Sequence, residues 1–361
     1  MSQKIKLSEK YDQITSALSY SNKDSEQVKI FSIDPKYNTQ KILDMRKAAE
    51  VHKEVRKLAK EKMKIGAKYL DVCNFIENKI VETFGKNDLT QGIGFLVGFS
   101  NKNCSAHDSA IVNDTRVIKT GDMIKCDFGT HVNGHIIDSA FTVSFANKAY
   151  DSLLNASKEA VFESIKLAGP DSLLSDISER MTEVVKSYEV EIDNKILEVN
   201  PCSYIGSHDI LPYQIHGGKL IMNDIKSFPK NMLGVRMESG ETYAIEVFSA
   251  TGDGKTMIGN TPTTHYALNK DHKKINFNLD ITQKVYGWIK KNRSTLPFAS
   301  RWLHTVFGAK YYLGLAELVK KEVVTAYQPL VTKEGTMTAQ LEHTIYLHEF
   351  GKEILSESTD Y

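Results

Sequence analysis

Cysteine is scarce in this chain. Its 361 residues contain four, at positions 73, 104, 126 and 202, with no Cys-x-x-Cys spacing. A set so sparse and scattered excludes a disulfide-knit fold and a cysteine-rich zinc module, and it fits a reducing compartment. Cys104 and Cys126 read as small core filler. Long apolar runs are also missing. None approaches the ~18 residues of a membrane span, and the start Met1-Ser2-Gln3-Lys4-Ile5-Lys6 lacks the apolar core of a secretory signal. We therefore expect a soluble, cytoplasmic protein with no membrane association. The formal charge is +1, which gives no electrostatic case for binding DNA or other nucleic acid broadly. No word repeats along the chain.

What is present is ordinary for a globular protein: 41% hydrophobic and 25% charged residues. The length suits one large domain with an insertion, or two domains. Residues 1–38 are polar, with clusters of Ser, Asn, Asp and Lys and Pro35 near the end, and read as a surface arm. From Lys41 to Lys64, Ile42, Met45, Ala49, Val55, Ala59 and Met63 recur at helical spacing. A second helix is expected over Leu70–Val81, followed by the Gly-rich stretch Gly92-Ile93-Gly94-Phe95. Amphipathic helices are expected over 150–168 and 172–188, then strands from about 190 to 260. Ile281–Lys291, Arg301–Val306 and Lys310–Val324 read as further helices, and final strands follow from about Leu330.

Between the Gly-rich stretch and residue 150 lies the most informative segment, Lys125-Cys126-Asp127-Phe128-Gly129-Thr130-His131-Val132-Asn133-Gly134-His135-Ile136-Ile137-Asp138. Asn-Gly between apolar runs is a strong hairpin signal. With Asn133 and Gly134 as the turn, Asp127 faces Ala140, and Asp138 lies two residues along on the same face. Two carboxylates on an apolar face repel each other and lose water, at a cost of several kcal/mol. A bound cation, or two, removes that cost. Imidazole and carboxylate are common ligands for divalent transition metals, and three later segments supply them. These are Gly206-Ser207-His208-Asp209-Ile210 with Tyr213-Gln214-Ile215-His216-Gly217-Gly218-Lys219, then Gly240-Glu241-Thr242-Tyr243-Ala244-Ile245-Glu246, and Thr338-Ala339-Gln340-Leu341-Glu342-His343-Thr344. In the last two, a Glu sits among residues that read as buried, which is rare for a Glu without a partner or metal.

The ordered set Asp127, Asp138, His208, Glu246, Glu342 resembles the five-ligand metal set of the pita-bread peptidases. The surrounding words are closer to type 2 methionine aminopeptidases: Asn103-Cys104-Ser105-Ala106-His107, Asp127-Phe128-Gly129-Thr130-His131, Ile215-His216-Gly217-Gly218-Lys219, Ser300-Arg301-Trp302-Leu303 and Gln340-Leu341-Glu342-His343-Thr344. The resemblance runs from about Ala48 to Tyr361. It implies an α+β pita-bread fold, a pseudo-twofold antiparallel sheet with flanking helices, over residues 39–265 and 328–361, with a helical type 2 insertion over 266–327. It implies two divalent metal ions (Mn, Fe, Co or Zn) on the five ligands, with Asp138 and Glu342 bridging. A water activated between the ions would be the nucleophile and Glu246 the proton acceptor. His107 is matched to the catalytic histidine at the scissile amide, and His216 to the donor at its carbonyl. Phe95, Ile215, His265 and Tyr327 match the pocket for the methionine side chain. The implied activity is removal of the N-terminal methionine from nascent polypeptides with a small second residue, by a monomer. A transient ribosome contact belongs to a charge-rich N-terminal extension in many family members. The short arm here carries no such charge block, which weakens that expectation.

Three positions depart from the family pattern. Ser207 stands where Gly is usual, Leu96 where Pro is usual, and Ala267 where many members have Met. They bear on substrate range rather than on the ligands. Two other readings are open. A prolidase or aminopeptidase P shares the five ligands but lacks the words around His107 and the helical insertion. A non-catalytic pita-bread protein that binds RNA or protein would have lost ligands, and often carries a basic tail.

Overall fold

The computed structural model describes residues 39–272 and 276–360, so the arm expected over 1–38 lies outside the described residues. Met1–Leu43 and Asp44–Tyr361 are separate units. The described end of the first contributes only the opening turn of a helix; the frame and the site belong to the second.

The helices are α1 (Gln40–Lys62), α2 (Tyr69–Phe84), α3 (Asp151–Leu167), α4 (Leu174–Lys186), α5 (Asp280–Asn292), α6 (Ser300–Phe307) and α7 (Tyr311–Lys320). Strands β1 to β4 are Gln91–Asn101, Cys104–Ala106, Met123–Val132 and His135–Ser144. Strands β5 to β8 are Glu189–Ile192, Lys195–Pro201, Gly206–Asp209 and Leu220–Met222. Strands β9 to β12 are Thr242–Thr251, Met257–Ile258, His265–Leu268 and Phe298–Ala299. Strands β13 to β16 are Val324–Tyr327, Leu330–Val331, Thr338–His348 and Gly351–Ile354.

Two sheets carry the frame. One has the order β1-β3-β4; the other has the order β16-β15-β9-β6-β5, with β7 attached to β9 and β8 to β7. The α+β, antiparallel character expected from the sequence is therefore present. On β9, Tyr243, Ile245 and Val247 alternate into the core with Leu341 and Ile345 of β15. They pack on Leu153 and Val161 of α3 and on Ile177, Met181 and Val185 of α4. The period of two leaves Glu246, and likewise Gln340, Glu342 and Thr344, on the other face.

That other face meets β4, and hydroxyls join the two sheets there. Thr344 Oγ1 accepts from the Asp138 N–H (2.8 Å) and donates to the Asp138 carbonyl (2.6 Å). Ser139 Oγ donates to the Glu342 carbonyl at 2.8 Å. Thr142 Oγ1 donates to the Gln340 carbonyl and accepts from its N–H, both at 2.8 Å. These side chains satisfy buried backbone groups where no ladder forms.

The Gly-rich stretch, left without an assigned element in the sequence, lies in strand β1. This is a buried strand of 11 residues paired to β3. Its glycines allow that approach, because a Cβ on Gly94 would lie 2.9 Å from the Thr130 carbonyl oxygen. Gly129 of β3 makes room for the Phe95 ring, which a Cβ there would meet at 2.2 Å.

Helices α5 to α7 pack on the small sheet β12-β11-β13 around Val285, Ile289, Phe298, Leu303 and Leu318. The helix expected to run to Val324 stops at Lys320. Glu322 turns the chain with a φ of 56°, and Val324 opens β13 opposite Leu268. The run Val323-Val324-Thr325 is β-branched and suits a strand, which overrides the helical pattern before it. The lobe is fixed to the frame by buried arginines. Arg293 donates to the carbonyls of Ile93 and Gly94, each at 2.9 Å. Arg301 and Trp302 both bond the carboxylate of Glu77 on α2.

Candidate metal centre

The β3–β4 hairpin turns at Asn133 and Gly134, with φ of 49° and 81°. Two left-handed residues in a row make the tight turn that Asn-Gly favours. The register pairs Asp127 with Ala140 and Gly129 with Asp138, so the two carboxylates share one face as the sequence predicted. On the second sheet, Glu342 lies directly opposite Glu246. His208 on β7 pairs with Ala244, two residues from Glu246 on the same face.

The seam brings the two faces together. Ligand atoms of Asp138, His208 and Glu342 lie within 4.8 Å of one another. Gln340 Nε2 joins the remaining pair, donating to Asp127 Oδ2 at 3.3 Å and to Glu246 Oε2 at 3.2 Å. Gln340 was not singled out from the sequence as a functional residue. The available signal was its place two residues before Glu342, on the same face of the strand.

Four carboxylates thus meet in a buried space. Among the described residues, no lysine or arginine forms an ion pair with any of them. Burial pushes Asp127 up to about 6. Asp138, Glu246 and Glu342 are driven well above the usual carboxylate range, first by burial and then by neighbouring carboxylates, with Asp127 acting on all three. Asp127 Oδ1, Asp138 Oδ1 and Glu342 Oε2 are buried with no hydrogen-bond partner. His208 is pushed down to about 4 by burial. Its Nδ1–H donates to the Asp209 carbonyl at 3.3 Å, which leaves the Nε2 lone pair directed inward, 3.6 Å from Asp138 Oδ2. Unpaired carboxylate oxygens and a bare imidazole nitrogen converging on one space are a donor set that fits divalent cations.

All of the residues expected at the site line one cavity of about 450 Å³. His107 sits in left-handed backbone, with φ 66°, and such strain in a non-glycine residue is characteristic of functional positions. Its Nδ1–H donates to the Gln328 carbonyl at 3.1 Å, so Nε2 is the unprotonated nitrogen. Burial holds its pKa below the usual imidazole range. The His216 ring stands edge-on to His208, with centroids 4.4 Å apart, and is depressed by burial and by His208 and His107. His265 faces Tyr327 across β11 and β13, and its Nδ1 bonds Thr264 Oγ1 at 2.8 Å. Phe95 and Ile215 belong to one buried apolar cluster with Ile136 and Ala244.

The Ser207 departure has a structural role of its own. Its hydroxyl donates to the Glu246 carbonyl at 3.0 Å and accepts from the Glu246 N–H at 2.9 Å. The serine clamps the backbone of the residue that carries the buried acid. Leu96 and Ala267 are both buried, and no feature of the structure accounts for either departure.

Residues 44–349 match metallopeptidase family M24. Methionine aminopeptidase 2 of Komagataella phaffii is 42% identical over 321 residues, spanning 88% of this chain and 70% of that protein. Methionine aminopeptidase 2 of Saccharomyces cerevisiae is 41% identical over 325 residues, spanning 88% and 76%. Among solved structures, a thermophilic Arx1 superposes with a TM-score of 0.76 at 18% identity, covering 89% of this chain and 91% of that one. A methionine aminopeptidase of Thermotoga maritima gives 0.58 at 19% identity, covering 88% and 97%. The two superpositions show the shared pita-bread fold. The family match and the two sequence relatives go further: this chain belongs to metallopeptidase family M24 and, within it, to the type 2 methionine aminopeptidases.

Proposed function

We propose that the protein removes the N-terminal methionine from nascent polypeptides and peptides with a small second residue. The observation that carries this reading is the convergence of four buried carboxylates and one imidazole, with no lysine or arginine paired to them among the described residues. Asp127, Asp138, His208, Glu246 and Glu342 would hold two divalent ions, and Mn, Fe, Co and Zn all accept such oxygen and nitrogen donors. When bound, such ions act as Lewis acids and make water a nucleophile at neutral pH.

The protein's own groups then divide the remaining work. Glu246, the carboxylate facing the same space, takes the proton of the attacking water. His107 presents its unprotonated Nε2 to the scissile amide. His216, neutral through burial, donates to the carbonyl oxygen as negative charge develops there. Phe95, Ile215, His265 and Tyr327 enclose the methionine side chain, an apolar wall with few polar groups. Residues 266–327 are, on this reading, an insertion in a catalytic frame of 39–265 and 328–361. Among the described residues, no helix is long and apolar enough to cross a membrane.

The test is product analysis with Met-Ala-Ser, its N-acetylated form and an Xaa-Pro peptide. Release of free methionine from the first alone supports the reading. Cleavage of the Xaa-Pro peptide in preference to Met-Ala-Ser contradicts it.

A further inference from the structure

A row of cross-strand neighbours leads out of the cavity to solvent. In the small sheet β2-β14-β10, Ala106 faces Leu330 and Leu330 faces Ile258. Residues opposed in this way present their side chains on one face. Ala106, next to His107, is buried, and Leu330 is half-buried; both line the cavity. Ile258 is 59% exposed on an edge strand. With strands about 4.8 Å apart, the row covers about 10 Å from Ala106 to Ile258. An extended chain advances about 3.3 Å per residue, so the row matches about three residues of a bound peptide.

Tyr204 lines the same cavity and is 71% exposed. Its φ of 58° is unusual for a tyrosine. Its neighbour Ser203 holds the segment that enters β10: the Thr256 N–H donates to Ser203 Oγ at 3.1 Å, and the Ser203 N–H donates to the Gly254 carbonyl at 3.0 Å. An exposed aromatic ring and an exposed isoleucine therefore stand on segments tied together at the mouth. Neither contributes to the core.

We propose that Ile258 and Tyr204 form a subsite for the third residue of the substrate polypeptide and favour an apolar side chain there. The inference rests on the aminopeptidase reading. Only the first residue of such a substrate is enclosed at the metal centre, and the rest of its chain must leave along an open wall. The row from Ala106 to Ile258 is continuous with the cavity, apolar and of matching length.

Steady-state kinetics of the metal-loaded full chain on Met-Ala-Ser, Met-Ala-Leu and Met-Ala-Phe test it. We expect kcat/KM to be about five- to tenfold higher for Leu and Phe, on the scale of one partly buried apolar side chain, and carried by KM. Ile258→Ser should abolish that preference while leaving Met-Ala-Ser turnover unchanged. Equal kcat/KM for the three peptides in the wild type overturns the inference. So does a preference that survives both Ile258→Ser and Tyr204→Ser. Failure to cleave any of the three overturns the aminopeptidase reading itself, and this inference with it.

Discussion

Glu246 and Glu342 stand directly opposite each other on β9 and β15, both buried. Like charges in that relation destabilise a sheet, and here the Glu246 carboxylate adds to the burial that raises the proton affinity of Glu342. The pair makes sense as a cation-binding arrangement that stores repulsion until it is filled. Glu342→Gln removes that repulsion. The metal-free variant should therefore melt at a higher temperature than metal-free wild type, yet gain nothing from added divalent metal. Calorimetry in the presence of chelator and then of Mn²⁺ checks both halves. A variant that is less stable without metal would contradict the stored repulsion.

Gln340 spans Asp127 and Glu246 with one amide nitrogen. Its backbone is held separately by Thr142, so the fold should survive its loss. Gln340→Leu should weaken divalent metal binding about 10- to 100-fold, as removal of a group that orients ligands does. Titration calorimetry gives the result, and an unchanged Kd would reduce Gln340 to packing.

The raised carboxyls set a pH dependence. A carboxyl whose pKa rises on folding favours the fold below its unfolded value of about 4 and loses that contribution as pH rises through the folded value. Asp127, at about 6, and the three higher groups therefore work against the metal-free fold increasingly above about pH 4. A cation displaces their protons, so its stabilising effect grows over the same window. His208, pushed down to about 4, is neutral there and does not reverse the sign. The gain in Tm on adding Mn²⁺ should be larger at about pH 8 than at about pH 6. An equal or smaller gain at the higher pH would mean that the carboxyls are already ionised without metal.

His107 touches no member of the carboxylate cluster by hydrogen bond, and its Nδ1 is committed to Gln328. His107→Ala should leave metal content and Tm near those of wild type and cut kcat by roughly 10² or more. Retained turnover would remove His107 from the chemistry. Lost metal would make it a ligand.

The hairpin and its two acids were legible because Asn-Gly fixes a turn, and the turn fixes a register that a period of two then converts into a shared face. Glu246 and Glu342 were legible as acids in apolar strands, and His208 through the resemblance to an ordered ligand set. Local patterns could not reveal what long-range contacts decide. Nothing near Gln340 announces that its amide reaches Asp127. Val324 comes after a helical stretch, and its β-branched neighbours become a strand where it pairs with Leu268. The hydroxyls of Ser139, Thr142 and Thr344 read as ordinary strand polarity until β4 is set against the face of the second sheet. The Gly-rich run at 92–95 carried no assignment of its own, yet Gly94 is where β1 and β3 must touch.

The central claim is that five side chains drawn from two sheets hold a pair of divalent ions. The direct measurement is metal stoichiometry by native mass spectrometry on the full chain, titrated with Mn²⁺ after chelation, for wild type and Glu342→Gln. The account predicts a wild-type chain that fills to two ions, and a variant that does not reach two. A wild type that saturates at one ion or none, or a variant that still binds two, would contradict it.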